Sequence, residues 1–343
     1  MRTRRLSAVA AIAAAAALTL SACASGSAAP AGESTADSAA GYPITIEHAL
    51  GTTVIESKPE RVATVQWANH EVPLALGVVP VGMAAANFGD DDADGMLPWV
   101  SDKLEELGGE TPVLFDETDG IDFEAVANTD PDVILASYSG LTQEDYDTLS
   151  EIAPVVAYPD APWSTSWRDT IEFNAMGMGM ASEGEALIAD IEGEIDSVVA
   201  DHPQLEGKSA MFLTHVDPAD LSEVSFYTPN DTRAAFFADL GLTTPSSIEA
   251  ATGDSGEFSG TLSAEQADAL SDVDIIVTYA DAETIAAIKA NPLLSQVPAI
   301  ANDSIVMLGS DPLGTAANPT PLSISFVLED YVDLLAAAAD KAA

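Results

Sequence analysis

One cysteine, Cys23, stands among 343 residues, so no disulfide can form within the chain and the fold must rest on its core. Bases are nearly as scarce: 11 Lys and Arg face 56 Asp and Glu, for a formal net charge of −45 at pH 7. So anionic a molecule makes nucleic acid and anionic membrane surfaces poor partners. Most of the excess reads as a solvated acidic surface, with or without a high-salt habitat behind it, because no ligand needs that many carboxylates. Histidine is short as well. His48 lies in a turn before Gly51 and His202 precedes Pro203, and neither pairs with a second histidine at ligand spacing. His70 has two readings, a ligand hydrogen bond or a structural role at a helix start. The acidic run Asp90-Asp91-Asp92-Ala93-Asp94-Gly95 fits the first half of a calcium loop, but the twelfth position falls on Ser101, which removes the bidentate glutamate. A resident metal or cofactor is therefore not expected. The chain also lacks a glycine-rich phosphate loop and a serine or cysteine nucleophile set beside a histidine. Binding, not catalysis, is the class that survives.

What is present begins with an address. Arg2, Arg4 and Arg5 precede an uncharged apolar run over 6–20, too short for a comfortable membrane span. The run ends in Leu20-Ser21-Ala22-Cys23, small residues followed by a thiol able to take a diacylglycerol. Residues 1–22 are expected to be a lipoprotein signal peptide and Cys23 the lipidated residue. The Ala, Ser, Gly and Thr of 23–41 make a tether that cannot bury enough surface to order itself. The folded part is expected on the extracytoplasmic face of the cell membrane, held by lipid alone and monomeric. It begins near Tyr42 and spans roughly 300 residues, room for two ordinary domains.

Short apolar runs then alternate with helical periodicity, the grammar of α/β units. Strands are expected over 61–66, 78–83 and 133–136, with helices over 70–76 and 123–127. The second half repeats the plan. Leu76-Gly77-Val78-Val79-Pro80 is echoed by Leu240-Gly241-Leu242-Thr243-Thr244-Pro245, and Asp130-Pro131-Asp132-Val133-Ile134-Leu135 by Asp272-Val273-Asp274-Ile275-Ile276-Val277. Two lobes of related α/β fold follow, at 42–181 and 203–343. Between them, 182–202 carries Ala186, Leu187, Ile191, Ile195, Val198 and Val199 on one helical face. A helix of twenty residues is about 30 Å long, so it joins the lobes rigidly and permits only limited rocking.

A resemblance rests on Pro59-Glu60-Arg61-Val62, Ala75-Leu76-Gly77-Val78-Val79-Pro80-Val81-Gly82 and Gly120-Ile121-Asp122-Phe123-Glu124-Ala125-Val126-Ala127. It continues through Asp132 to Leu141, Ile152-Ala153-Pro154, Pro162-Trp163 with Trp167, and Thr320-Pro321-Leu322-Ser323. With these motifs in this order, the chain from Tyr42 onward resembles the iron-siderophore substrate-binding lipoproteins of ABC importers. That likeness implies two α/β lobes with a ligand cleft between them, joined by one long rigid helix. It implies a ferric siderophore as ligand, with iron present only inside the chelate, and an ABC permease as partner. It also implies one permease-contacting glutamate on each lobe, matching Glu105 (or Glu106) and Glu265. The run Asn174-Ala175-Met176-Gly177-Met178-Gly179-Met180 departs from the family pattern, and its methionines read as packing.

In open α/β folds ligands sit beyond the carboxyl ends of the strands. Trp67 follows the first strand, Tyr138 the strand over 133–136, and Trp163 and Trp167 the strand over 155–157; Trp99 is placed in a loop after the acidic run. Indoles offer large contact area with little rotamer entropy to lose. Trp67 and Trp163 are the expected platform, while Trp167 and Trp99 keep a second reading as core. The second lobe is expected to add Tyr227, Arg233 and a rim over 309–321. Arg233 either meets a ligand oxygen or pairs with a nearby carboxylate. Only Arg168 and Arg233 stand where they could balance an anionic chelate, so a hydroxamate siderophore is favoured over a catecholate. Haem or cobalamin would suit the same aromatic cleft, and a surface hydrolase is the alternative from another class.

Overall fold

The structure, a computed structural model, describes residues 41–342. The signal peptide, Cys23 and the tether as far as residue 40 lie outside the described residues. After an antiparallel hairpin of β1 (Ile44–His48) and β2 (Gly51–Ile55), the chain builds two five-stranded sheets, one after the other.

The first comprises β3 (Val62–Thr64), β4 (Gly82–Ala84), β5 (Val113–Phe115), β6 (Val133–Ala136) and β7 (Val155–Ala157), in the order β5-β4-β3-β6-β7 and parallel throughout. The second comprises β8 (Ala210–Leu213), β9 (Glu223–Tyr227), β10 (Ser259–Ser263), β11 (Ile275–Tyr279) and β12 (Ile305–Leu308), in the equivalent order β10-β9-β8-β11-β12. Here β8, β11 and β12 run parallel, while β9 is antiparallel to both of its neighbours. The central strands β6 and β11 are apolar and buried because helices cover both sheet faces.

The sequence echoes between the halves have matching jobs. The Asp132 carboxylate accepts the backbone N–H groups of Glu60 (2.8 Å) and Arg61 (3.0 Å), just before β3. Asp274 accepts that of Ser209 (2.9 Å), just before β8. In each lobe an aspartate ahead of one central strand thus fixes the register of its neighbour. Gly77 and Gly241 both take left-handed backbone, φ 79° and 78°, where the helices Glu71–Ala75 and Thr232–Asp239 end.

Two expected strands shift. The one placed over 78–83 starts later, as β4, because the Val78 N–H turns back to the Pro73 carbonyl, Pro80 has no N–H to offer, and the ladder begins where Val81 donates to Val62. The one placed over 61–66 closes at Thr64, and Gln66 and Ala68 adopt left-handed backbone, φ 63° and 59°.

One long helix, Ala181–Val199, joins the lobes, and Pro203 opens a separate 3-10 turn, Pro203–Leu205. Its Ile191 and Ile195 enter a core shared with the terminal helix Ser323–Ala339, which buries Ile324, Val327, Leu328, Tyr331, Val332 and Leu335. Met178 is buried, and Met176 and Met180 pack beside it, so the methionine run fills space. No described helix is long and apolar enough to cross a membrane.

Candidate functional site

The loops after β3 and β6 diverge at the point where the strand order of the first sheet reverses, the usual place for a ligand crevice. Asn69 ties them together. It is fully buried; its amide donates to the carbonyls of Val65 (2.9 Å) and Tyr138 (2.8 Å), and its oxygen accepts from the Tyr138 N–H (3.0 Å) and the Asn174 amide (3.0 Å). With that bridge made, Trp67 and Tyr138 sit on adjacent, immobilised turns.

Trp163 is seated against the same edge. Its N–H donates to the Ser139 carbonyl (3.0 Å), and its ring meets Tyr138 edge-on, with centroids 5.5 Å apart. A Cβ at Gly140 would lie 2.4 Å from the Trp163 Nε1, so only glycine lets the indole rest on this turn. The tryptophan itself holds left-handed backbone, φ 59°, which is strained for a bulky residue.

Across from these lies the second lobe. Arg233 caps the ring of Tyr227 at 3.7 Å and forms a fork with Asp231, Nε to Oδ1 at 2.8 Å and a terminal nitrogen to Oδ2 at 2.7 Å. Burial opposes the guanidinium charge, but the hydrogen bonds and charge of Asp231 outweigh it and hold the pKa above its ordinary value. The pairing expected of Arg233 is thus present, with Asp231 as the carboxylate, and the paired side chain lines the cleft. Burial pushes the Tyr279 phenol up to about 12, so it stays neutral. The open cleft between the lobes measures about 350 Å³, lined by Trp67, Phe88, Tyr138 and Trp163 from the first lobe and His215, Tyr227, Arg233, Phe258, Tyr279, Thr315 and Asn318 from the second. At its floor the lobes touch through polar groups: Thr232 donates to Asn318 (2.6 Å), and the Tyr138 hydroxyl lies 3.4 Å from Thr232 and 3.5 Å from Asn318.

Of the residues expected at the site, Trp67, Tyr138, Trp163, Tyr227 and Arg233 converge here; Trp99 and Trp167 do not. Trp99 belongs to the helix Pro98–Leu107, not to a loop; its indole is buried and donates to Glu71 (2.7 Å). Trp167 opens the helix Trp167–Gly177 and donates to Asp239 (3.0 Å). Arg168 does not serve the cleft either, since it is bound to Glu192 (2.7 Å) and Asp239 (3.0 Å). The rim residues Phe88, His215, Phe258 and Tyr279 were not singled out from the sequence. Tyr279 had a signal, as the aromatic that ends the buried strand β11. His48 is occupied with Thr53 (3.0 Å), and His202 lies 3.6 Å from Asp333. Asp90 spends its carboxylate on the N–H groups of Ala93 (2.7 Å) and Gly95 (2.8 Å) in its own turn.

A family model described as periplasmic binding protein matches residues 62–312, most of the chain and both sheets. The chain belongs to that family. Among solved structures the chain is similar to PiaA of Streptococcus pneumoniae TIGR4, solved in complex with ferrichrome: the two are 44% identical and superpose with a TM-score of 0.84, and the match covers 88% of this chain and 100% of that one. The probable siderophore-binding lipoprotein YfiY of Bacillus subtilis is 29% identical over 156 residues, 45% of this chain and 44% of that protein, so this match spans under half of it. The ferric enterobactin-binding periplasmic protein FepB of Escherichia coli is 25% identical over 284 residues, 80% of this chain and 86% of that protein. The two-lobed architecture and inter-lobe cleft are therefore those of a substrate-binding protein.

Proposed function

We propose that the protein is an extracytoplasmic receptor that captures a ferric siderophore, of hydroxamate type, between its lobes and delivers it to an ABC permease. The observation that carries this reading is an aromatic cleft whose one guanidinium, Arg233, is already neutralised by the buried Asp231. At an effective dielectric near 20, an unmatched unit charge about 4 Å from a like charge costs about 4 kcal/mol. A trianionic tris-catecholate would enter this cleft without counter-charge. A near-neutral trihydroxamate needs only apolar contact and a few hydrogen bonds, which Trp67, Trp163, Tyr227 and Asn318 are placed to supply. The 44% identity to a protein crystallised with ferrichrome, itself a trihydroxamate chelate, supports the same class.

Residues 1–22 act in this reading as the signal peptide, Cys23 as the lipidated residue and 23–41 as the tether. Segments 42–181 and 203–343 are the two lobes, with 182–202 as the connector. Glu105 and Glu265 are exposed, one on each lobe, as permease contacts should be, whereas Glu106 is engaged by Lys103 at 2.9 Å. Titrating the soluble part with ferrichrome and with a ferric tris-catecholate, and following tryptophan fluorescence, tests the ligand class. Saturable quenching by ferrichrome at concentrations at least tenfold lower is expected; tighter catecholate binding would overturn the charge argument.

A further inference from the structure

Behind Trp67 and Trp163 lies a second cavity of about 240 Å³, set among the loops that follow β3, β4 and β5. The two indoles line both cavities and so stand where they meet. Two of the side chains that line this annex each carry a polar atom with nothing to bond. Glu117 Oε2 accepts the Gln66 N–H (2.9 Å), but its Oε1 is shut off from solvent without a partner. The Nδ1 of His70, a buried residue, is equally enclosed and unpartnered. Such atoms carry a desolvation cost that a ligand group of the right kind would relieve.

The kind is set by the donors and acceptors. An ionised carboxylate oxygen only accepts, and a neutral imidazole protonated at Nε2 accepts at Nδ1. Among the described residues lining the annex there is no lysine or arginine to supply the missing donor. An anion would be repelled by Glu117. A cation would be drawn by the carboxylate and by the faces of the two indoles it must pass. Burial pushes the Glu117 carboxyl up to about 7 and the His70 imidazole down to about 4, so His70 stays neutral and Glu117 is ready to ionise against a positive charge.

We propose that the annex is a subsite for a protonated amine carried on the organic backbone of the chelate. The iron-bearing core rests in the aromatic cleft, the amine-bearing chain passes between Trp67 and Trp163, and the ammonium group pairs with the Glu117 carboxylate, which turns its unpartnered oxygen toward the charge. Glu117 is joined to the platform by a short relay, since Gln66 bonds Glu117 through its N–H and the Gly140 N–H donates to the Gln66 side chain (3.3 Å). Filling the annex would thus also steady the turn under Trp163. This inference rests on the reading of the cleft as a ferric hydroxamate site, and it names which hydroxamates are preferred.

The test uses two probes, the iron complex of a linear trihydroxamate ending in a free primary amine and its N-acetylated form. Both are titrated at pH 8 by tryptophan quenching into the wild-type chain and Glu117→Gln, with thermal unfolding confirming that the variant is folded. The wild type is expected to bind the amine form at least tenfold more tightly than the acetylated form, and the ratio should fall to within twofold in Glu117→Gln. Equal binding of the two probes by the wild type, or a ratio that survives in Glu117→Gln, overturns the subsite and leaves the cleft reading standing. Failure of the wild type to bind either probe overturns the cleft reading with it.

Discussion

Trp163 holds a backbone conformation, φ 59°, that costs a bulky residue on the order of 1–3 kcal/mol, and its neighbours enforce it. The Ser139 carbonyl takes its N–H, Tyr138 buttresses its ring, and Gly140 leaves the only space the indole can occupy. In Gly140→Ala the added methyl group must push the half-buried ring into the cleft. Ferrichrome affinity, read by fluorescence titration, should drop about tenfold or about 1.4 kcal/mol, with a melting point lowered by only a few degrees. Unchanged affinity would mean that the indole is not a wall of the site. A second residue-scale prediction concerns pH. Glu117 keeps its proton up to about 7 in the folded chain, against an ordinary value of 4.5, so the folded state holds a proton that the unfolded chain gives up between those values. Its contribution to stability therefore falls as pH rises through that window and is flat above it. Urea unfolding at pH 5 and pH 8 should show Glu117→Gln gaining on the wild type at the higher pH. His70 acts with the opposite sign: its folded value of about 4 lies below the ordinary 6.5, so its contribution is lost as pH falls between them. Spacing along the chain identified the aromatic residues but not their partners across the fold. Trp99 and Trp167 read as site candidates because nothing local shows that Glu71, 28 residues away, and Asp239, 72 residues away, claim their indole N–H groups.

Secondary-structure elements carry the site through a few polar ties. Asn69 holds the turn after β3 to the turn after β6, and in sequence it looks only like the start of a short helix. Its Ala variant would leave the buried Tyr138 N–H and the Val65 and Tyr138 carbonyls without their partner. A loss of about 3 kcal/mol or more in unfolding free energy is expected, at roughly 1–3 kcal/mol for each of the stranded buried groups, together with weaker ligand binding as Trp67 and Tyr138 come loose. A stability change below 1 kcal/mol would show that the tie is dispensable. The helix Thr232–Asp239 is fastened to the first lobe at both ends, through Thr232 to Tyr138 and through Asp239 to Trp167 and Arg168. The element plan was legible where composition is decisive. Val133-Ile134-Leu135-Ala136 and Ile275-Ile276-Val277 are buried strands, each introduced by an aspartate that pins its neighbour. The antiparallel direction of β9 was not legible, because strand direction depends on where the connecting chain returns and leaves no mark on the strand itself.

At the scale of the whole molecule, the lobes share more than the long helix. The buried carboxylate of Glu71 accepts from the Trp99 indole and from the Leu322 N–H (2.9 Å) ahead of the terminal helix, which ties the first lobe to the second lobe's last element. Burial pushes this carboxyl up while Thr320, Trp99 and the backbone of Leu322 and Ser323 hold it down. With this clasp, the polar floor of the cleft and the seam at Asp239, ligand capture should proceed with small lobe movement, in keeping with a rigid connector. In the proposed function the surface then presents the loaded cleft to a permease. Reversing both Glu105 and Glu265 to lysine should abolish siderophore uptake in cells while leaving ferrichrome affinity intact; normal uptake would make them ordinary surface acids. Charge at this scale is read from composition alone, and 56 acids against 11 bases make polyanions poor partners. The pairing of Arg233 with Asp231 within one helical turn was only half legible, as one of two open readings.

In the proposed function, one hydroxamate chelate binds per chain, in the aromatic cleft between the lobes. Isothermal titration calorimetry of ferrichrome into the soluble part tests it most directly, run at several temperatures on the wild type and on Trp163→Ala. One site per chain is expected, with a negative heat-capacity change from burial of apolar surface and at least tenfold weaker binding in the variant. Absence of binding, or binding that Trp163→Ala leaves untouched, would contradict it.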